Sequence, residues 1–197
     1  SLHDALPILL ALQGAFAEHE KVLEQLGAEC IELRQARDLA EPYDALVLPG
    51  GESTVQGKLL KELSMFDIMK SQIENGMPVL ATCAGAILLA ETIDGQMKGQ
   101  PEQYFGTIPM CIKRNAYGRQ LGSFHTEAPV VGIGTVPMTF IRAPYIASVG
   151  NGVEVLAVVE ERIVGVKYKN QMAFSFHPEL DPDMRIHKTF LSMISNV

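Results

Sequence analysis

Three short apolar runs, from Ile8 to Gln13, Asp44 to Pro49 and Pro78 to Thr82, constrain this chain more than any other feature. Each lacks the polar alternation of a half-exposed strand and closes on glycine or small residues, the pattern of a strand buried on both faces. Helical patterns lie between them. Phe16, Val22, Leu23 and Leu26 form a stripe before Gly27, which reads as a helix over Phe16–Leu26 with a glycine stop. A longer helix is expected from about Thr54 to Asn75, with Val55, Leu59, Leu63 and Phe66 on one stripe and Gly76-Met77-Pro78 after it. Cys30–Leu33 reads as a further strand, and Ala84–Glu91 resumes a helix-forming composition. This alternation predicts an α/β fold: a mostly parallel central sheet flanked by helices on both faces, with sites gathered at the carboxyl ends of its strands.

Beyond Thr92 the pattern shifts to short strands, including Val153–Val159, Ile163–Tyr168 and Met172–Phe176, before a closing helix over about Asp183–Ile194. No internal repeat or linker interrupts the chain. Its 197 residues suffice for one well-buried core, so residues 1–197 are expected to form a single domain.

Composition narrows the function. A net charge of -7 leaves no basic field for phosphates or an anionic membrane surface, which argues against nucleic acid and membrane partners. Cys30, Cys83 and Cys111 are widely spaced, with no C-x-x-C pair, so neither a metal nor a redox site is expected and a reduced, cytoplasmic compartment fits. The apolar run Leu6–Leu12 contains Pro7 and follows no basic segment. It is too short to span a bilayer, and neither a signal peptide nor an anchor is expected. Ser1–Asp4 does not read as the lead into a strand and is given no functional weight.

Cys83 carries the strongest chemical signal. In Ala81-Thr82-Cys83-Ala84-Gly85 the thiol sits between small residues where a buried strand meets a helix, the arrangement of a nucleophile elbow. There the backbone N–H of Ala84 can face a developing oxyanion. A buried core cysteine is the alternative for Cys83, and core packing is the better reading for Cys30 and Cys111. A thiol nucleophile needs a base, and Phe176-His177-Pro178-Glu179 places an imidazole at a strand end with a carboxylate two residues on. Side chains at that spacing on a strand share a face. A plain strand-end turn is the competing account of the same string.

Pro49-Gly50-Gly51-Glu52-Ser53-Thr54 is a glycine-rich turn opening onto a helix, with Ser53 or Thr54 as candidate N-cap. It lacks the Lys-Ser/Thr ending of a P-loop, so its N–H groups suit a carboxylate or an oxyanion better than a nucleotide phosphate. Arg114-Asn115 and Phe140-Ile141-Arg142-Ala143-Pro144 supply guanidinium groups able to clamp a carboxylate. His3, His19, His125 and His187 have no thiol and acid beside them in sequence and read as surface or satisfied core residues.

Taken in order, Leu10-Ala-Leu-Gln-Gly14, Leu48-Pro-Gly-Gly-Glu-Ser-Thr54, Thr82-Cys-Ala-Gly85, Arg114-Asn-Ala-Tyr-Gly-Arg-Gln120, Phe140-Ile-Arg-Ala-Pro144 and Ser175-Phe-His-Pro-Glu179 resemble one family. It is that of the glutaminase subunits of pyridoxal 5'-phosphate synthase, within the triad-type glutamine amidotransferases. The resemblance runs from about Leu9 to the C-terminus and implies a flavodoxin-like fold, that of class I glutamine amidotransferases. It further implies hydrolysis of L-glutamine by Cys83, His177 and Glu179, an oxyanion hole at Gly51 and Ala84, and glutamine binding by Gly51, Glu52, Ser53, Arg114, Ile141 and Arg142. No cofactor or metal is implied. The implied partner is a synthase subunit that accepts ammonia and switches the glutaminase on, near Gln13 and the Gly50-Gly51 peptide. Two departures stand out: Ala81 where many triad amidotransferases carry glycine, and an N-terminal segment before Leu9 unlike the family's usual lead. A different ammonia acceptor, such as that of imidazole glycerol phosphate synthase, is one alternative. A binding subunit of the same fold without turnover is another, against which the intact Cys83, His177 and Glu179 argue.

Overall fold

The computed structural model describes residues 7–10, 12, 14–94, 104–114 and 123–194. The chain begins with β1 (Pro7–Leu10), α1 (Ala17–Gln25), β2 (Ile31–Leu33), β3 (Ala45–Leu48), α2 (Ser53–Glu62) and α3 (Phe66–Glu74). It continues through β4 (Val79–Thr82), α4 (Ala84–Leu89), β5 (Ala90–Ile93) and β6 (Ile108–Lys113). A hairpin, β7 (Ser123–Val130) and β8 (Gly134–Ile141), is followed by β9 (Tyr145–Val149), β10 (Glu154–Val159), β11 (Arg162–Tyr168), β12 (Gln171–Phe174) and α5 (Arg185–Ile194).

The main sheet runs β2-β1-β3-β4-β12-β11-β9-β6-β5, with β10 paired to β11. From β2 to β12 all pairings are parallel. Three of the apolar runs, β1, β3 and β4, lie in this half, and the side chains of β3 and β4 are fully buried. Alternate residues feed opposite faces: Leu46, Leu48, Val79 and Ala81 pack toward α2, α3 and α4, whereas Ala45, Val47 and Leu80 pack toward α1, α5 and the hairpin. A strand between two helical layers needs apolar residues at every position, which explains why its sequence shows no alternation.

The far half of the sheet is built differently. β11 runs antiparallel to β12, β9 and β10, and β6 antiparallel to β9. The hairpin β7–β8 stands apart as a two-stranded sheet.

Three expectations are corrected by the helical layer. The helix anticipated over Thr54–Asn75 is two helices, divided at Leu63-Ser64-Met65, where Ser64 takes a left-handed φ of 59°. Its anticipated stripe is also displaced: Val55 is 41% and Leu63 36% exposed, while Ser53, Gln56, Gly57 and Leu60 face inward. A small and polar inner face is invisible to a hydrophobicity pattern. Gln56 is held there by donating from Nε2 to the Pro49 carbonyl, 3.2 Å away. The helix after Cys83 likewise ends at Leu89, because Ala90–Ile93 turns into strand β5.

Candidate active site

Cys83 lies at the end of β4 as the N-cap of α4, at φ 53° and ψ -109°. This conformation is costly for any residue with a Cβ. Three backbone contacts hold it: the Cys83 N–H donates to the Phe174 carbonyl at 2.8 Å, and its own carbonyl accepts from Ala86 N–H at 3.0 Å and Ile87 N–H at 3.3 Å. Gly85 permits the elbow, since a Cβ there would sit 2.0 Å from the Leu48 carbonyl oxygen. The sulfur therefore points out of the strand end. It is 8% exposed, and Sγ lies 3.9 Å from the Ile141 carbonyl.

β12 lies parallel beside β4, with Phe174 opposite Thr82, so the chain leaving β12 passes Cys83. His177 follows that strand end, its N–H donating to the Thr139 carbonyl at 2.8 Å. Its Nδ1 lies 2.9 Å from Glu179 Oε1, and the ring sits close enough to Cys83 for the thiol to act on its titration. The shared strand face expected for His177 and Glu179 is not what pairs them. β12 ends at Phe174, and Glu179 lies in a short 3-10 turn, Pro178–Leu180, opened by proline. The turn, rather than the two-residue period of a strand, swings the carboxylate back to the imidazole.

The electrostatics follow from burial and neighbours. Burial alone would lower the His177 imidazole, but hydrogen bonds and charge from Cys83 and Glu179 outweigh it and raise it to about 10. Burial raises the Glu179 carboxyl, and the bond to His177 draws it partly back. Cys30 contrasts with the elbow, its thiol pushed up to about 12 by burial and by Glu20 and Glu24. A thiol held that far up is a poor nucleophile at neutral pH.

A cleft of about 440 Å³ opens in front of the sulfur. Of the nominated residues, Gly51, Glu52, Ser53, Cys83, Ala84, Arg114 and Arg142 line it. Ile141 contributes its carbonyl beside Cys83 but turns a side chain 40% exposed away from that contact. His177 and Glu179 are buried behind the sulfur. The N-cap of α2 is Glu52 rather than Ser53 or Thr54: its carboxylate accepts from Thr54 N–H at 3.2 Å and Val55 N–H at 2.9 Å. Gly50 closes the turn against His177, for a Cβ on it would lie 2.5 Å from His177 Cε1. The Gly50 carbonyl accepts from Ala15 N–H at 3.2 Å, which sets the orientation of the Gly50–Gly51 peptide.

Sequence reasoning passed over three groups. Asp94, on the cleft wall, accepts from Arg114 Nε and Nη2, each at 2.9 Å, and so orients that guanidinium. His19 and His187 are fully buried behind Glu179. No local pattern marks them, because the fold joins residues 168 positions apart. Gln13, Asn115 and Ser1–Asp4 lie outside the described residues. Among the described residues no three His, Cys, Asp or Glu side chains are grouped to hold a metal ion, and no helix is long and apolar enough to cross a membrane.

The arrangement can pass a proton from a thiol to an imidazole oriented by a buried carboxylate, in front of a cleft carrying both acidic and basic groups. A family model described as the SNO glutamine amidotransferase family matches residues 9–196. The pyridoxal 5'-phosphate synthase subunit PdxT of Desulfitobacterium hafniense (strain Y51) is 60% identical over 188 residues, covering 95% of this chain and 92% of that protein. The protein of the same name from Streptococcus pneumoniae serotype 2 (strain D39 / NCTC 7466) is 53% identical over 188 residues, covering 94% and 95%. A solved structure described as a glutamine amidotransferase superposes with a TM-score of 0.88 at 43% identity, covering 96% of this chain and 98% of that one.

Proposed function

The chain belongs to the SNO glutamine amidotransferase family, and on that footing we propose that it is the glutaminase subunit of a pyridoxal 5'-phosphate synthase. It releases ammonia from L-glutamine for a synthase subunit in vitamin B6 biosynthesis. The observation that carries this reading is 60% identity across nearly the whole of a PdxT subunit. Its fold is the flavodoxin-like α/β fold of class I glutamine amidotransferases.

In this reading His177, raised to about 10, has already taken the thiol proton near neutral pH, and the Cys83 sulfur attacks the side-chain amide carbon of glutamine. The resulting imidazolium is stabilised by Glu179, 2.9 Å from Nδ1. The tetrahedral oxyanion forms at the Gly51 and Ala84 N–H groups. On its collapse the carbon–nitrogen bond breaks, and the nitrogen leaves as ammonia with the proton from His177. Water then adds to the glutamyl thioester, again giving a proton to His177, and glutamate departs as the thiol is restored. The α-carboxylate and α-amino group of glutamine suit a cleft holding Arg114, Arg142, Glu52 and Asp94. The whole chain acts as one amidotransferase unit, because two core clusters cover the two faces of one sheet. Three free cysteines fit a reducing cytoplasm.

Mixed with a purified synthase subunit, the protein should release glutamate from L-glutamine, and Cys83→Ala should lower turnover by on the order of 10⁴-fold or more. Glutamate release that persists unchanged in that variant rules the mechanism out.

A further inference from the structure

Behind the triad the structure holds a buried chain of polar groups that the mechanism above does not use. His19, from α1, places Nδ1 2.9 Å from Nε2 of His187, on α5. Its Nε2 lies 3.1 Å from Thr82 Oγ1 and 3.3 Å from Glu179 Oε2, and the side chains of His19 and Glu179 are both 0% exposed. The Nε2–H is aligned on Thr82. It passes Glu179 Oε2 at ion-pair distance but off the line of a formed hydrogen bond. Two helices, the nucleophile's strand and the turn carrying the acid thus converge on one imidazole.

We propose that His19 and His187 are positioning residues for this reaction: His187 fixes His19 as its Nε2–H tautomer, and His19 holds the Glu179 carboxylate that orients His177. The inference rests on the triad reading.

Proton accounting selects the tautomer. With the proton on Nε2 of each ring, His187 donates to His19 Nδ1, and His19 presents a donor to Thr82 Oγ1 and Glu179 Oε2. Within this chain the atoms then left without a hydrogen-bond partner are acceptors only, His187 Nδ1 and Glu179 Oε2, the latter facing the His19 N–H off its axis. The opposite arrangement leaves an N–H buried and unpaired on His187 and sets a ring lone pair against the carboxylate, both unfavourable in a dry interior. Both rings are neutral near neutrality, since burial lowers His19 well below its ordinary value and His187 to about 4. The outcome is one direction of donation from His187 to His19 and from His19 to Thr82, with the positive end of the His19 N–H facing one oxygen of the acid and His177 donating to the other.

The experiment compares His19→Leu, His19→Gln and Cys83→Ala in the complex with a synthase subunit, using L-glutamine as substrate. His19→Leu should lower kcat by on the order of 10-fold or more with KM nearly unchanged, because the base is misplaced while the cleft is untouched. His19→Gln, whose amide N–H can reach the same acceptors, should recover most of that loss; a purely space-filling role would not distinguish the two. ¹⁵N-histidine NMR on the unsubstituted protein should find the His19 proton on Nε2, a reading independent of whether any variant folds. A His19 proton on Nδ1, or a folded His19→Leu variant with unaltered kcat, overturns the inference. Turnover surviving in Cys83→Ala would sink the triad reading instead, so the two failures are distinguishable.

Discussion

Cys83 is held in a backbone conformation, φ 53° and ψ -109°, that only glycine adopts without cost. Such strain amounts to roughly 1–3 kcal/mol and persists where the surroundings over-determine it. Removing the sulfur alone does not relieve it, because alanine keeps the Cβ. Cys83→Gly should therefore be more stable than Cys83→Ala by about 1 kcal/mol in urea unfolding, with both inactive. Equal midpoints would mean that the elbow stores no strain. Gly50 makes the complementary case: a methyl there would meet His177 Cε1 at 2.5 Å. Gly50→Ala should displace the imidazole and lower kcat by on the order of 10²-fold, with a smaller change in KM, measured as glutamate release.

At the scale of elements, the elbow depends on how closely α4 approaches β3. A Cβ on Gly85 would sit 2.0 Å from the Leu48 carbonyl oxygen and 2.7 Å from its carbon, both backbone atoms without freedom to yield. Gly85→Ala should thus push α4 off the strand, costing about 1–3 kcal/mol of stability by overpacking and carrying Cys83 with it. Chemical denaturation and turnover would fall together, unlike the separable effects at residue 50. The parallel half of the sheet was legible because strands buried on both faces are apolar along their length, as Ala45–Leu48 and residues 79–81 are. The break at Ser64 was not, since Leu63, Ser64 and Met65 interrupt no apolar stripe in sequence. Nor was the inward face of α2, where Gln56 takes a place that an apolar residue would ordinarily mark. Cys83, His177 and the glycine turn were readable because each is tied to a strand end. His19 and His187 were not: they meet only through the packing of α1 on α5, and as isolated sequence positions they resemble any helical histidine.

For the whole molecule, the same buried groups set opposing pH limits on stability. His19 and His187 are neutral when folded and take up protons when released, so unfolding binds protons below their ordinary value of 6.5. Their contribution is intact above that value and is lost as pH falls toward about 4, where His187 itself titrates in the folded state. Glu179 works the other way, since burial raises its carboxyl above 4.5 and folding retains that proton longer. Two protons gained on unfolding against at most one lost leave a net acid slope of no less than about 1.4 kcal/mol per pH unit where both histidines are protonated only in the unfolded state. His177 sets the alkaline side. Raised from 6.5 to about 10, it stabilises the fold fully below 6.5 and loses that contribution as pH rises through the window to 10. Urea midpoints measured between these limits should trace a dome with its maximum near neutrality. His187→Phe should flatten the acid limb and leave the alkaline limb in place, whereas His177→Asn should do the reverse. An acid limb unchanged in His187→Phe would assign the acid sensitivity to groups other than the pair behind the triad.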